Sequence, residues 1–381
     1  MRLFLALTLF MGNFCLAQDS IKPADVHRAA NLLDLKYSDK EVEMMLPDLK
    51  DNIADYKKMH ALTLDNSIAM SMAQRLTAEN VKQEKLKWKY DKKIKLPTNR
   101  NELAFYSIHA LGSLLRNKSI TAVELTSFFI NRLKQFGDTL QCTVSLTEQI
   151  AMEQATKADE ELNKGMDRGP LHGIPYGLKD LFAVKGTKTT WGAAPYKNQT
   201  IDEDAYVYTR LKEAGAVLVA KLTLGALAMG DYWFGGRTKN PWNLERGSSG
   251  SSAGSSSATV AGLVPFAIGT ETHGSIISPS HTCGATGLRP TFGSVSRSGA
   301  MTLSWSLDKV GPICRSAEDA ATVFAYIHGT LKEAPVVHLQ DQVQPLLPDW
   351  YRLPLAQKHM DPSFRQAIPV EQPGCDQLLE V

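Results

Sequence analysis

The sequence lacks a charge excess, a paired-cysteine motif and an apolar run long enough to cross a membrane. Its net charge of +2 provides no strong field for a polyanion, so nucleic acid is not an expected partner. The five cysteines are widely spaced without a Cys-x-x-Cys, and their spacing assigns no disulfide. We expect buried free thiols at Cys283 and Cys314. With 43% apolar residues, the 381-residue chain can still build a sizeable core, in one large domain or two ordinary ones.

The first 18 residues have the pattern of a secretory signal peptide. Arg2 provides the positive charge, Leu3 to Met11 form the apolar run, and Leu16-Ala17-Gln18 precedes a polar segment. The apolar run is too short to span a bilayer. We therefore expect export to the periplasm or the extracellular space, with no stable membrane anchor. The alternative is that residues 1–18 form a buried N-terminal helix.

Residues 19–95 are predicted to form an N-terminal helical extension followed by a lysine-rich linker. Ser38 and Glu41 have capping-box spacing, and the helix that they begin is expected to end at Pro47. Residues 82–95 carry seven lysines that alternate in part with apolar residues. That alternation favours an exposed strand or an extended linker. A contact with an anionic polymer is the alternative for this segment.

Residues 96–330 alternate between helical patterns and buried-strand patterns, which is typical of an α/β layered domain. A capping box at Thr121 predicts the start of one helix, and a second helix is predicted over 148–164. The compact apolar run from Gly215 to Leu222 predicts a buried strand. The first helix has four apolar residues on one face: Leu125, Phe129, Leu133 and Phe136.

The most unusual stretch of the sequence runs from Gly247 to Arg289. A Gly/Ser-rich segment leads into an apolar element, and that element leads into a second turn bracketed by glycines. A flexible linker is also rich in Gly and Ser, but an apolar run and a second Gly/Ser turn would not follow it at once. Loops of this kind bring backbone N–H groups and hydroxyls close to a ligand.

Two blocks of the sequence, in the same order, resemble the signature of the amidase signature family of serine hydrolases. The first block contains a lysine within Gly173–Asp180, and the second is the Gly/Ser stretch with its following Pro, Cys-Gly and Gly-Leu-x-Pro-Thr elements. In this sequence those elements are Ser278-Pro279, Cys283-Gly284 and Gly287-Leu288-Arg289-Pro290-Thr291. The resemblance covers about residues 100 to 328. It implies an α/β fold, layered α/β/α around a large mixed sheet.

The resemblance also implies an amide hydrolase with a Ser–Ser–Lys triad and no metal or cofactor. Ser275 would be the nucleophile, and Ser251, 24 residues earlier and after a cis peptide bond, would relay the proton. Lys179 would be the base, which requires burial to lower its pKa from the usual value of about 10.4. The expected oxyanion donors are the backbone N–H groups of Thr272, His273, Gly274 and Ser275.

The sequence departs from the family pattern at three places. His273 replaces a glycine and is expected to narrow the acyl pocket, while Ile277 replaces the common arginine. The first serine loop also reads Gly-Ser-Ser-Ala-Gly-Ser, at residues 250–255, instead of Gly-Gly-Ser-Ser-Gly-Gly-Ser. A histidine base is not required in this scheme, because Lys179 supplies the base.

Residues 250–254 also match the Gly-x-Ser-x-Gly pattern of α/β-hydrolases, with Ser252 as the nucleophile. That pattern needs a strand directly before the loop, and residues 240–247 are not expected to form one. A phosphate-binding loop is disfavoured, because no Gly-Lys-Ser/Thr ends the segment.

The C-terminal part, residues 331–381, has seven prolines, one glycine and no clear period. Prolines at this density break helices and central strands. The recognisable family pattern stops near Tyr326-Ile327, after a helix that begins at Ser316. We therefore expect a C-terminally shortened family fold with an open sheet edge. A truncated and inactive family member, with a binding role or no function, is the alternative to an enzyme.

The resemblance implies a small-molecule amide as the substrate, and fatty, peptide and aryl amides all fit. A tRNA-linked amidotransferase subunit is disfavoured by the export pattern. The oligomeric state is not specified by any pattern in the sequence.

Overall fold

The computed structural model describes residues 21–62 and 88–329. The chain divides into two compact units, Met1–Val81 and Lys82–Val381. The signal peptide predicted for residues 1–18 and the proline-rich segment at 331–381 lie outside the described residues. Export and a shortened C-terminal part therefore stay predictions.

The described part of the first unit, residues 21–62, contains two helices, α1 (Pro23–Leu32) and α2 (Asp39–His60). The predicted capping box of α2 is confirmed: Ser38 Oγ accepts the N–H of Glu41, and the Glu41 carboxylate accepts the N–H of Ser38. The predicted end at Pro47 is wrong, because α2 continues through this residue to His60. Proline removes one helical hydrogen bond. Pro47 is exposed, and the residues on both sides of it keep the helical conformation.

The second unit is an α/β domain. Its α-helices within residues 88–329 are α3 (Ile108–Arg116), α4 (Ala122–Leu140), α5 (Glu148–Asn163), α6 (Tyr206–Glu213), α7 (Ala253–Val260), α8 (Ile277–Cys283) and α9 (Ala317–Ile327). Short 3-10 helices lie at Arg100–Phe105, Ala194–Tyr196 and Ala226–Ala228. Its strands are β1 (Thr143–Leu146), β2 (Pro175–Lys179), β3 (Val217–Leu222), β4 (Tyr232–Trp233), β5 (Gly236–Arg237), β6 (Lys239–Asn240), β7 (Asn243–Gly247), β8 (Ala267–Glu271), β9 (Thr286–Gly287) and β10 (Lys309–Cys314).

Six of these strands form a mixed sheet in the order β1-β3-β2-β8-β10-β9. The central strand β2 is parallel to both neighbours, β3 and β8, while β1, β10 and β9 join antiparallel. Helices α4, α5, α7 and α9 pack against the strands of this sheet. The predicted α/β fold with a central mixed sheet is confirmed.

The helix and strand predictions for the second unit hold in most details. Helix α4 begins after the Thr121 capping box, α5 ends one residue before its predicted limit, and β3 is buried along its whole length. The apolar face of α4 is buried except at Phe136, which is 36% exposed. Cys283 and Cys314 are buried free thiols, as expected.

The lysine-rich segment has no strand in its described part. Residues 88–97 contain no helix, have a turn at residues 92–93 and lie against α3, and the linker interpretation stays a prediction. The Arg116 guanidinium lies 4.4 Å from the centroid of the Tyr90 ring, and the N–H of Asp91 donates to Ser113 Oγ at 3.1 Å.

The expectation that no strand precedes the Gly/Ser segment is wrong. Strand β7 ends at Gly247 and pairs with β6 in a two-stranded hairpin that is separate from the central sheet. The first four residues of β7 are exposed, so the segment lacks the alternating apolar pattern that marks a half-buried strand.

Among residues 21–62 and 88–329, the helices are all too short or too polar to cross a bilayer.

Candidate active site

Strand β2 carries Lys179 to the centre of the sheet. The strand is buried along its whole length, and the lysine side chain at its end is fully buried. Lys179 Nζ lies 2.8 Å from Ser251 Oγ, 2.8 Å from Thr270 Oγ1 and 3.1 Å from Ser252 Oγ. The amine is therefore surrounded by three hydroxyls, one of them on the predicted relay serine.

The surroundings of Lys179 favour the neutral amine. Its hydrogen-bond acceptors in the described part of the chain are the three hydroxyls and the carbonyl of Thr270, so no carboxylate contacts it directly. Burial lowers the pKa of Lys179 to about 7, although the more distant charges of Asp308 and Glu271 oppose this shift. A large fraction of the amine is therefore neutral at physiological pH and can accept a proton.

The serine segment packs closely on strand β8. A Cβ atom at Gly269 would lie 2.7 Å from Ser252 Oγ, so this position needs a glycine. The N–H of Ser252 donates to the carbonyl of Ser275 at 3.0 Å, which joins the serine segment to the turn of the predicted nucleophile. The peptide bond between Gly250 and Ser251 is cis, as the family resemblance implied.

Ser252, the nucleophile of the α/β-hydrolase alternative, is fully buried. Its hydroxyl donates to the Thr270 carbonyl at 3.1 Å and accepts from the Lys179 amine at 3.1 Å and the Thr270 N–H at 3.2 Å. All the hydrogen-bonding capacity of this hydroxyl is thus used inside the protein. The preceding strand β7 also lies outside the central sheet, so the geometry does not favour an α/β-hydrolase site.

Residues 272–275, between β8 and α8, form a turn that we call the oxyanion turn. Gly274 has φ +84°, in the left-handed region that favours glycine. None of the four backbone N–H groups of this turn donates to an acceptor in the described residues. Ser275, at the end of the turn, is 9% exposed. The turn can therefore present unpaired donors to an anion beside the Ser275 side chain.

Comparisons with known proteins identify the family of this chain. Residues 124–346 match the family model described as Amidase, which is more than half of the chain. The chain belongs to the amidase family. Among curated proteins, a glutamyl-tRNA(Gln) amidotransferase subunit from Coxiella burnetii (strain Dugway 5J108-111) is 44% identical over 226 residues, which are 58% of this chain and 47% of that protein. The corresponding subunit of Marinomonas sp. (strain MWYL1) is 43% identical over 226 residues, 58% of this chain and 46% of that protein.

Solved structures of family members have the same fold. The native peptide amidase from Stenotrophomonas maltophilia has a TM-score of 0.58 at 35% identity, covering 61% of this chain and 49% of that chain. A bacterial aryl acylamidase of the amidase signature family has a TM-score of 0.57 at 25% identity, covering 61% of this chain and 50% of that chain. The chain spans about half the length of the curated relatives that it matches.

Glu271 is a site residue that the sequence reasoning missed. Its carboxylate accepts the N–H groups of Ile276 at 2.9 Å and Ile277 at 3.0 Å, and so fixes the start of α8 directly after Ser275. Ile277 occupies the position where the family commonly has an arginine. The Arg289 guanidinium lies 3.7 Å from the Glu271 carboxylate. The sequence signal that could have identified Glu271 and Thr270 is Gly-Thr-Glu-Thr, which contains both residues.

The side chain of His273 is exposed, and no hydrogen bond or ion pair joins it to Lys179, Ser251 or Ser275. Its effect on an acyl pocket stays a prediction. Among the described residues, no group of His, Cys, Asp and Glu side chains has an arrangement that could hold a metal ion.

Proposed function

We propose that this amidase-family protein hydrolyses the C–N bond of a linear carboxylic amide through an acyl-enzyme on Ser275. The observation that carries the proposal is the buried Lys179 amine. Its pKa is lowered to about 7, and it contacts the hydroxyl of Ser251 at 2.8 Å. A lysine buried among hydroxyls has the proton affinity that a general base needs near neutral pH.

In the proposed mechanism, Ser251 relays a proton between the nucleophile and the lysine. The neutral amine of Lys179 takes the proton of Ser251, which takes the proton of Ser275 as its Oγ attacks the amide carbonyl. The N–H groups of the oxyanion turn stabilise the negative oxygen of the tetrahedral intermediate. The proton returns along the same path to the leaving nitrogen, and the C–N bond breaks to give the acyl-enzyme and an amine or ammonia.

Water completes the proposed cycle. It attacks the acyl-enzyme ester and gives a proton to the relay. The bond between the acyl carbon and Ser275 Oγ then breaks, the relay returns the proton to Ser275 Oγ, and the carboxylic acid is released. All steps use side chains and backbone groups of residues 179–275, so the scheme requires no metal and no cofactor.

We propose a small-molecule amide as the substrate. The solved relatives are named for peptide amides and aryl acyl amides, and the curated relatives are named as subunits of a tRNA-linked amidotransferase. Export, which the pattern of residues 1–18 predicts, would bring the protein to free amides and away from tRNA. The net charge of +2 likewise favours a small substrate over a nucleic-acid partner.

A fluorophosphonate probe, which acylation-competent serines attack, tests the nucleophile. We expect the label to map to Ser275, and the Ser275→Ala variant to lose both labelling and hydrolysis of a simple aryl amide. Ser252→Ala is the matched control and should still be labelled, because the Ser252 hydroxyl of the wild type is buried and fully hydrogen-bonded and is not the predicted nucleophile. A label that maps to Ser252 would show that the assignment of the nucleophile is wrong.

The same experiment addresses the alternative of an inactive protein. A cooperatively folded wild-type chain that neither reacts with the probe nor hydrolyses an amide would favour a binding role. Cooperative unfolding therefore has to be measured on the same sample as labelling.

A further inference from the structure

The first residue of the oxyanion turn is held from two sides by the segment that leads into β10. The hydroxyl of Thr272 donates to the carboxylate of Asp308. The carbonyl of Thr272 accepts a hydrogen bond from Lys309 Nζ at 2.9 Å. Neither Asp308 nor Lys309 has a role in the reaction scheme above, so these contacts need a separate explanation.

Asp308 is 8% exposed and uses both carboxylate oxygens within the protein. Besides the Thr272 hydroxyl, it accepts the N–H of Leu303 at 2.8 Å and the N–H of Ser304 at 3.0 Å. One carboxylate therefore closes the loop before β10 and holds the oxyanion turn. Such a hub is rigid because each partner restricts the rotamer that the others need.

The sheet register explains why these residues meet. Strands β8 and β10 are antiparallel, with Lys309 opposite Glu271. The next pair beyond the ladder is Asp308 opposite Thr272, where strand β8 has ended and the oxyanion turn has begun. The contact between these two side chains thus continues the strand pairing by one step into the turn.

The oxyanion turn needs this support because catalysis depends on the direction of its donors. Displacement of a donor by about 1 Å can cost on the order of 10² in rate. Gly274 gives the turn its conformation but no stiffness of its own. Glu271 fixes the C-terminal side of the turn through α8, so the N-terminal side depends on the contacts of Thr272.

We propose that Asp308 is a positioning residue for amide hydrolysis. Together with Lys309 it holds Thr272 in place, and this keeps the N–H donors of the oxyanion turn aligned. The inference rests on the proposed function. Asp308 does not touch the substrate in this proposal, and it acts through the backbone of residues 272–275.

Kinetics of Asp308→Asn test the proposal. This variant keeps the side-chain size but removes the charge and one acceptor, so we expect kcat to fall about 10- to 100-fold with little change in KM. Asp159→Asn is the matched control. Asp159 also accepts two backbone N–H groups, those of Ala122 at 2.7 Å and Val123 at 3.0 Å, but it lies on α5 and contacts α4. The control should keep the wild-type kcat.

A pair of Thr272 variants covers the case in which Asp308→Asn does not fold. Thr272→Ser keeps the hydroxyl and should retain most of kcat, while Thr272→Val removes it and should lose as much as Asp308→Asn. The double variant Asp308→Asn with Thr272→Val should lose no more than either single variant. Full activity of Thr272→Val, or losses that multiply in the double variant, would overturn the proposal.

Hydrogen exchange provides a readout that does not require turnover. The N–H groups of Ile276, Ile277 and Ser278 are hydrogen-bonded at the end of the turn, and their exchange should be faster in Asp308→Asn and Thr272→Val, and unchanged in Asp159→Asn. Unchanged exchange in all three variants would overturn the role of Asp308 even for an inactive chain. The wild type could also show neither labelling nor turnover while exchange is faster in Asp308→Asn and Thr272→Val. In that case the proposed function is wrong, but the positioning role of Asp308 stands.

Discussion

Two lysines are fully buried on neighbouring parallel strands, and they differ in what surrounds their amines. Lys179, at the end of β2, donates to hydroxyls and one carbonyl. Lys221, on β3, lies 2.8 Å from the carboxylate of Asp180, which is also fully buried. Burial lowers the pKa of both lysines, but at Lys221 the charge of Asp180 opposes the shift directly.

The difference separates a lysine suited to chemistry from a lysine suited to structure. The Lys221 amine also donates to the Lys188 carbonyl at 3.0 Å, and Asp180 accepts the N–H of Thr190 at 2.8 Å. The pair thus fastens the segment after β2 to the neighbouring strand β3. Lys179 has only neutral partners, so it can lose its proton without leaving a buried carboxylate unpaired.

Removal of Lys221 should have the largest effect, and the effect should be on stability. Lys221→Met leaves the Asp180 carboxylate buried without its cation, so we expect a loss of about 3–5 kcal/mol in the free energy of unfolding. Urea unfolding of the full chain measures this loss. Adding Asp180→Leu should recover much of it, because the unpaired charge is then gone as well.

An exposed lysine provides the control for that measurement. Lys212 on α6 lies 4.0 Å from Asp204, and its side chain is 55% exposed. Lys212→Met should change the free energy of unfolding by less than about 1 kcal/mol. If Lys221→Met costs no more than this control, the buried pair has no structural role and the comparison fails.

Removal of Lys179 should have the second-largest effect, and the effect should be on activity. Lys179→Met removes the proposed base and should lower kcat by about 10² or more, which corresponds to about 2.7 kcal/mol in the barrier. Its unfolding free energy should fall by less than that of Lys221→Met, because no carboxylate loses a direct partner. Initial rates with an aryl amide and urea unfolding separate the two effects.

His273 provides the control for the catalytic role of Lys179. Its side chain is exposed and has no hydrogen bond to Lys179, Ser251 or Ser275, and alanine keeps the backbone N–H of the turn, so His273→Ala should lower kcat far less than Lys179→Met. A loss in kcat as large as that of Lys179→Met would indicate that a histidine, and not the lysine, is the base.

The catalytic lysine could be predicted from the sequence, whereas the structural lysine could not. Lys179 stands in a block that resembles a family motif together with the later serines. The role of Lys221 depends on the register of β2 against β3, in which Lys221 lies opposite Leu178 and next to Asp180. No local pattern encodes that register, so an apolar run with one lysine predicted only a buried strand.

Other differences between prediction and structure have similar causes. The α/β class, the two core helices and strand β3 followed from periodicity and capping. The continuation of α2 through Pro47 depends on tolerance of one missing hydrogen bond, and strand β7 depends on pairing with β6. Asp308 meets Thr272 only through the pairing of β8 with β10, which joins segments about 36 residues apart in the chain.

The pH dependence of the rate is the smallest expected effect, and it tests the role of Lys179 most specifically. The neutral form of Lys179 decreases as pH falls through its pKa of about 7. The rate should therefore fall about tenfold per pH unit on the acid side, about 1.4 kcal/mol per unit. A rate profile between about pH 5 and pH 9 measures this limb. A rate that stays level down to about pH 5 would point to a carboxylate base and contradict the role of Lys179.

The same titration has a consequence for stability, with a sign that follows from the pKa difference. The pKa of Lys179 is lowered to about 7 in the folded state, while an unfolded lysine has a pKa of about 10.4. Between these values the unfolded state binds more protons, so the Lys179 contribution to stability rises with pH from about 7 to about 10. Lys221 is present in both wild type and Lys179→Met, so its titration cancels in their difference. The stability difference between the two proteins should therefore shift in favour of the wild type as pH rises, and a difference independent of pH would show that the Lys179 amine stays charged.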